Sequence, residues 1–178
     1  LGFALLEGDS SAVERATALL QDAYGRDPFS PSVLDSLGWL RYLEGRHGPD
    51  DPEGALLLIS QSIEARLAAG RSVSGEVLLH FGDAAWRAGR QSDAVNAWSG
   101  IARKSLTARE LTGRLAAYAD YQKEIWGRVF TPPAEMYEDI EGRWIQAAEL
   151  RLRAIAEGEP PPVTPTFSER AKVQNSSE

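Results

Sequence analysis

The chain has 178 residues, of which 43% are apolar, with a formal charge of −7 and no cysteine. That length and apolar share suit one compact core or a short solenoid and argue against disorder of the whole chain. The acidic balance argues against a phosphate-binding surface and so against nucleic acid as a partner, while the lack of Cys excludes disulfides, thiolate zinc sites and cysteine nucleophiles.

No apolar run approaches the ~20 residues that span a bilayer, so no membrane span is expected in the visible chain. The opening Leu1-Gly2-Phe3-Ala4-Leu5-Leu6 stops at Glu7 without a basic leader. It carries no Met and begins inside a repeat, which suggests a portion upstream.

Three segments align on a Gly that follows a bulky apolar residue: Leu1-Gly2, Leu37-Gly38 and Phe81-Gly82. In the first, a second helix carries Ala16, Leu20 and Ala23, and Pro28 blocks its continuation. The second runs Leu37-Gly38-Trp39 through Tyr42, turns at Gly45-Arg46, and continues with Ala55, Ile59 and Ser62 on a helix from Ala55 to about Ala69. Between them Asp50, Asp51 and Glu53 stand just before Ala55, where carboxylates cap free amides and complement the helix dipole. In the third, Phe81, Gly82, Ala85, Gly89, Ala94, Trp98 and Ile101 set small and large residues alternately where two antiparallel helices touch. Gly82 is expected to let the neighbouring helix approach closely, and Gly89 to supply a left-handed turn.

These residues resemble the tetratricopeptide (TPR) repeat family, whose 34-residue unit has a large residue and Gly on its first helix, Ala and a large residue on its second, and a closing Pro. Leu34-Asp35-Ser36-Leu37-Gly38-Trp39 and His80-Phe81-Gly82-Asp83-Ala84-Ala85-Trp86-Arg87 look especially like repeats of bacterial TPR proteins. The resemblance covers residues 1–103 as about three repeats. Departures are about two extra residues near Asp9-Ser10-Ser11, about five near His47-Gly48-Pro49-Asp50-Asp51, and Leu67 in place of a closing Pro. Insertions at turns leave helix packing intact.

Past Arg103, Leu111, Leu115, Tyr118, Ile125 and Val129 recur at helical spacing, predicting an amphipathic helix over about 108–130. Thr131-Pro132-Pro133 then reads as a helix start, with Ile140, Trp144, Ala148, Leu152 and Ile155 on one face until Gly158. Because a solenoid exposes the apolar side of its last repeat, residues 104–158 are expected to cap it. From Glu159 to Glu178 the chain reads as a tail: Pro160-Pro161-Pro162-Val163-Thr164-Pro165 extended, the rest polar and mobile. It is either a linker or a docking segment for a partner, with Phe167 as the candidate anchor.

The expected fold is therefore all-α, a right-handed solenoid of antiparallel helix pairs with capping helices. No motif supports catalysis: His47 and His80 belong to no H-E-x-x-H or serine-centred arrangement, and no glycine-rich phosphate loop occurs. No enzyme activity, metal or cofactor is expected. Asn175-Ser176-Ser177 matches a glycosylation acceptor, a pattern short enough to arise by chance in a polar tail.

The resemblance implies a groove lined by the first helix of each pair, at positions one, four and five after the shared Gly. These are Trp39, Tyr42 and Leu43, then Asp83, Trp86 and Arg87, with Asp35 and His80 a turn earlier. Aromatic and Arg side chains suit such anchoring; the alternative is that Trp39, Tyr42 and Trp86 pack between repeats. The family's carboxylate-clamp groove is not matched, since Asp35, Trp39 and Asp83 stand where Lys and Asn are needed. The implied role is a non-catalytic scaffold that binds another protein or peptide segment, within a larger assembly, in the periplasm or cell envelope or else the cytoplasm. The alternatives are a helical accessory domain of a larger enzyme and a homo-oligomeric structural subunit.

Overall fold

The computed structural model describes residues 10–48, 50–102 and 134–175, and every regular element among them is a helix. The opening Leu1-Gly2 unit, the 108–130 helix, the Thr131 start and most of the Asn175 acceptor pattern lie outside the described residues. In chain order the helices are α1 (Ser10–Arg26), α2 (Pro31–Leu43), α3 (Ala55–Ala68), α4 (Gly75–Arg87), α5 (residues 91–102), α6 (Ala134–Ala156) and α7 (Phe167–Asn175).

Local chemistry fixes the boundaries. Pro31 opens α2, where a missing amide proton costs nothing. Ser74 caps α4 by accepting the Val77 amide. Gly89 ends the α4 turn with φ +76°, the left-handed backbone its position demands, and Gly158 does the same after α6 with φ +79°. The acidic cluster before α3 behaves differently from a cap. Asp51 takes two bonds from Arg46, both 2.9 Å, and accepts the Glu53 amide, while the capping position itself falls to Gly54 without any side-chain bond. A guanidinium five residues away outcompetes the helix amides because it offers two charge-assisted bonds at once.

Helices α2 and α3 form one antiparallel hairpin. Ser62 donates to the Pro31 carbonyl at the start of α2, and the Ala55 amide donates to the Arg46 carbonyl past its end. Between them Gly38 lies against α3, where an added Cβ would stand 2.7 Å from Ile59 Cγ1. Helices α4 and α5 repeat the arrangement, with Gly82 against Trp98 and Gly100 facing Leu78. The fully buried residues Leu40, Leu43, Ala55, Ile59, Ala84, Ala85, Ala94 and Trp98 form a core continuous through both hairpins. Helix α1 adds Ala16 and Leu20 at one end; α6 lays Ala148, Trp144, Leu152 and Ile155 on α4 at the other. Burying this apolar area is the main stabilising term.

Beyond α6 the structure departs from a mobile tail. After the Gly158 turn, residues 159–166 pass back over α4 and α2 without regular structure, folding tightly at Pro162 where the Val163 amide donates to the Pro161 carbonyl at 2.8 Å, and Phe167 starts α7. Thr166 stands at its capping position and Glu169 reaches back to accept the Thr166 amide at 2.7 Å, half of a capping box.

Candidate functional site

Helices α2 and α4, the first members of the two hairpins, lie side by side and parallel: Asp35 meets His80, and one helical stretch later Tyr42 meets Arg87. The residues they turn to the same side sit at three- and four-residue steps, Asp35, Trp39 and Tyr42 on α2 and His80, Asp83 and Arg87 on α4, which is the spacing of one helix face.

An ordered stack runs along this face. Asp35 Oδ1 holds His80 Nδ1 at 3.1 Å; the imidazole stacks on Trp39 with centroids 4.0 Å apart; Trp39 stacks on Tyr42 at 4.6 Å with an interplanar angle of 3°. Each ring fixes the next, so the Tyr42 hydroxyl is presented in one place. Burial, reinforced by the negative charge of Asp83, pushes that hydroxyl well above its ordinary ionisation range, so it remains a proton donor. His47 lies against the same ring at 6.2 Å, and burial together with the Arg87 charge pushes it below its ordinary value, which leaves it neutral at neutral pH.

The carboxylate of Asp83 is fully buried. It is held by Arg151 of α6 through two bonds of 2.7 and 2.8 Å, a bidentate pair in which each buried charge offsets the other. Arg151 also donates to its own helix at the Ala147 carbonyl and lies over the Trp98 ring at 5.8 Å.

The chain's own tail passes through this arrangement. The Thr164 amide donates to Asp83 Oδ2 at 2.9 Å, and its carbonyl accepts from the Tyr42 hydroxyl at 2.5 Å and from Arg87 at 3.5 Å. Five residues on, both oxygens of Glu169 accept from Arg87 at 2.7 Å. Thr166 between them is 3% exposed. Phe167 and Val163 rest half-buried against the core, so the expected anchor does pack, on its own chain.

The eight residues expected in the groove therefore divide. Asp35, Trp39, Tyr42, His80, Asp83 and Arg87 form one connected cluster. Tyr42 and Trp39 of this cluster are themselves buried core members, Trp39 packing between the hairpins on His80 and Tyr42 lying beneath the tail. Leu43 is completely buried and has no place in the cluster, and the Trp86 ring turns to Trp98 of α5 at 5.9 Å. Gly82 and Trp86 are one turn apart and share the face that meets α5. Three further participants, Arg151, Thr164 and Glu169, lie outside the repeat pattern. Arg151 falls three positions after Ala148 on the apolar stripe of α6, and Thr166-x-x-Glu169 has the spacing of a capping box; both are readable signals. Among the described residues no group of His, Asp and Glu is arranged to hold a metal ion, and no helix is long and apolar enough to cross a membrane.

The grip on Glu169 sets a pH dependence. Its carboxyl is lowered from an ordinary 4.5 to about 2, chiefly by the Arg87 bonds and then by the Thr166 amide. A depressed carboxyl contributes stability above its unfolded value and loses it as pH falls toward the folded one. Tail docking is thus expected to weaken between about pH 4.5 and about pH 2, read as NMR shifts of the Thr164 and Thr166 amides. A Glu169→Gln chain should lack that response; an unchanged titration in the variant would show that other groups hold the tail.

Compared with protein-family models, with curated proteins and with solved structures, the chain finds no match.

Proposed function

We propose that the chain is a non-catalytic protein-interaction module of the tetratricopeptide type, whose successive hairpins continue as a right-handed superhelix and whose first helices line a groove for another polypeptide. The observation that carries this reading is the treatment of Thr164: a residue outside any helix is held at its amide by Asp83 and at its carbonyl by Tyr42. Main-chain contacts of that kind take an extended segment whatever its side chains, with specificity left to flanking pockets. The rigid Asp35–His80–Trp39–Tyr42 stack supports it further, because a preorganised surface loses little entropy on binding.

Peptide display on the immobilised full chain tests the reading. Enriched peptides should perturb the NMR signals of the Tyr42 ring and the Arg87 guanidinium. They should bind a Trp86→Ala chain with unchanged affinity, although that variant melts earlier because it loses packing against Trp98. If no peptide is enriched, or the enriched ones map away from Tyr42 and Arg87, the module reading is wrong.

A further inference from the structure

Residues 159–169 occupy the groove in a way that specifies what else would fit it. Their contacts are of two kinds. The main-chain pair at Thr164 is indifferent to side-chain identity, whereas the Glu169 carboxylate meets a guanidinium fork that accepts little else in its place. The groove side is largely held without the tail: Asp83 by Arg151, and Tyr42 by its stack on Trp39. Arg87 differs, since its carboxylate partner among the described residues is supplied by the tail.

The tail is also built to come and go. It follows a left-handed turn at Gly158 and three prolines, Pro160, Pro161 and Pro162, which donate no amide bonds to the body and restrict the backbone of the segment whether docked or not. The fully buried apolar core comes from α2 to α6; of the tail's apolar side chains Pro161 is buried, while Val163 and Phe167 are only half-buried against that core. Peeling the tail away would break a short set of polar bonds and uncover Pro161 and Thr166, while the fully buried residues of the hairpins stay packed on one another.

Resting on the module reading above, we infer that the external ligand of the groove is an extended polypeptide segment bearing a carboxylate five residues after the residue gripped by Asp83 and Tyr42, and that residues 159–169 are its internal competitor. A tethered segment is present at an effective concentration of millimolar order, so a free ligand of the same chemistry binds only in proportion to the fraction of chains whose tail is open. Partners with contacts beyond these residues would displace it; weak, generic acidic segments would not.

The test uses the full-length chain and a fluorescent peptide of residues 159–175. Glu169→Arg sets like charges together, opens the tail and leaves Arg87 in place, so this chain should bind the native peptide at least about tenfold tighter than wild type does. A peptide carrying the same Glu169→Arg change should fail on that chain yet bind an Arg87→Glu chain, a charge-reversal rescue that a merely structural ion pair would not give. If the Glu169→Arg chain melts like wild type but takes up no peptide, or if it fails to fold at all, the tail is an integral part of the fold and the competition is refuted. Hydrogen exchange on the unaltered chain is an independent test. The Thr164 and Thr166 amides should exchange well before the interior amides of α4, and equal protection would overturn the proposal. Should display yield peptides that bind at Arg87 while the tail peptide never binds, the groove reading stands and the competitor role falls.

Discussion

Asp83→Ala is expected to destabilise the chain by about 3–5 kcal/mol in denaturant unfolding, because it strands a buried charge. The Arg151 side chain is only 6% exposed and directs its Nε and one Nη at the two Asp83 oxygens. With the carboxylate gone, the guanidinium keeps the Ala147 carbonyl and the face of Trp98 but has no counter-charge there. Arg151→Met is expected to be costly for the mirror-image reason, leaving the Asp83 carboxylate at zero exposure with the Thr164 amide to satisfy it. Replacing both at once, Asp83→Leu with Arg151→Met, removes the unpaired charge and should recover most of the loss, since a well-packed apolar pair is often no worse than a buried ionic one. The double variant should nonetheless weaken tail docking, because nothing then accepts the Thr164 amide while the Tyr42 and Arg87 bonds remain. A single Asp83→Ala variant within about 1 kcal/mol of wild type would mean that water reaches the pair and that it is not the tie between α4 and α6.

The sequence carries the helices well and the long-range pairings poorly, and the reason is the range of the signals. Spacing predicts a helix from Ala55 to about Ala69, and α3 runs Ala55–Ala68; Gly89 has the left-handed backbone its position implies. Both follow from patterns within a few residues. The cluster of Asp35, Trp39, Tyr42, His80, Asp83 and Arg87 is reachable too, since repeated hairpins place equivalent faces side by side. What fills that cluster is not. Tyr42 bonds to Thr164 across 122 positions and Arg87 to Glu169 across 82, and no periodicity reports such a pairing. Composition even points away from it, because three prolines followed by polar residues read as a linker. The same restricted backbone that makes a good spacer also leaves the segment little freedom to lose on docking. Trp86 shows the converse limit: counting from Gly82 places it with the groove, whereas its one-turn offset from that Gly puts it on the α5 side, against Trp98.

Trp98→Ala is expected to cost about 3–5 kcal/mol, as for any large aromatic whose removal empties a closed core. Its side chain has zero exposure and fills the notch that Gly82 leaves on α4. An added Cβ at Gly82 would come closest to the indole Nε1, an N–H with no hydrogen-bond partner among the described residues, and would stand 2.7 Å from Cδ1 and 2.9 Å from Cε2. The ring is walled in and cannot swing aside as a flexible chain end could, so Gly82→Ala alone should overpack the contact and lose about 1–3 kcal/mol. The two substitutions should not add. Once Trp98 is Ala, the new methyl at position 82 meets open space, and Ala exceeds Gly in a helix interior by roughly 0.5–1 kcal/mol. In that background Gly82→Ala should therefore turn from destabilising to neutral or mildly stabilising. Melting curves of the two single variants and the double decide the matter. If Gly82→Ala costs the same with and without Trp98, the glycine is there for some reason other than this indole, and the close approach of α4 and α5 does not depend on it.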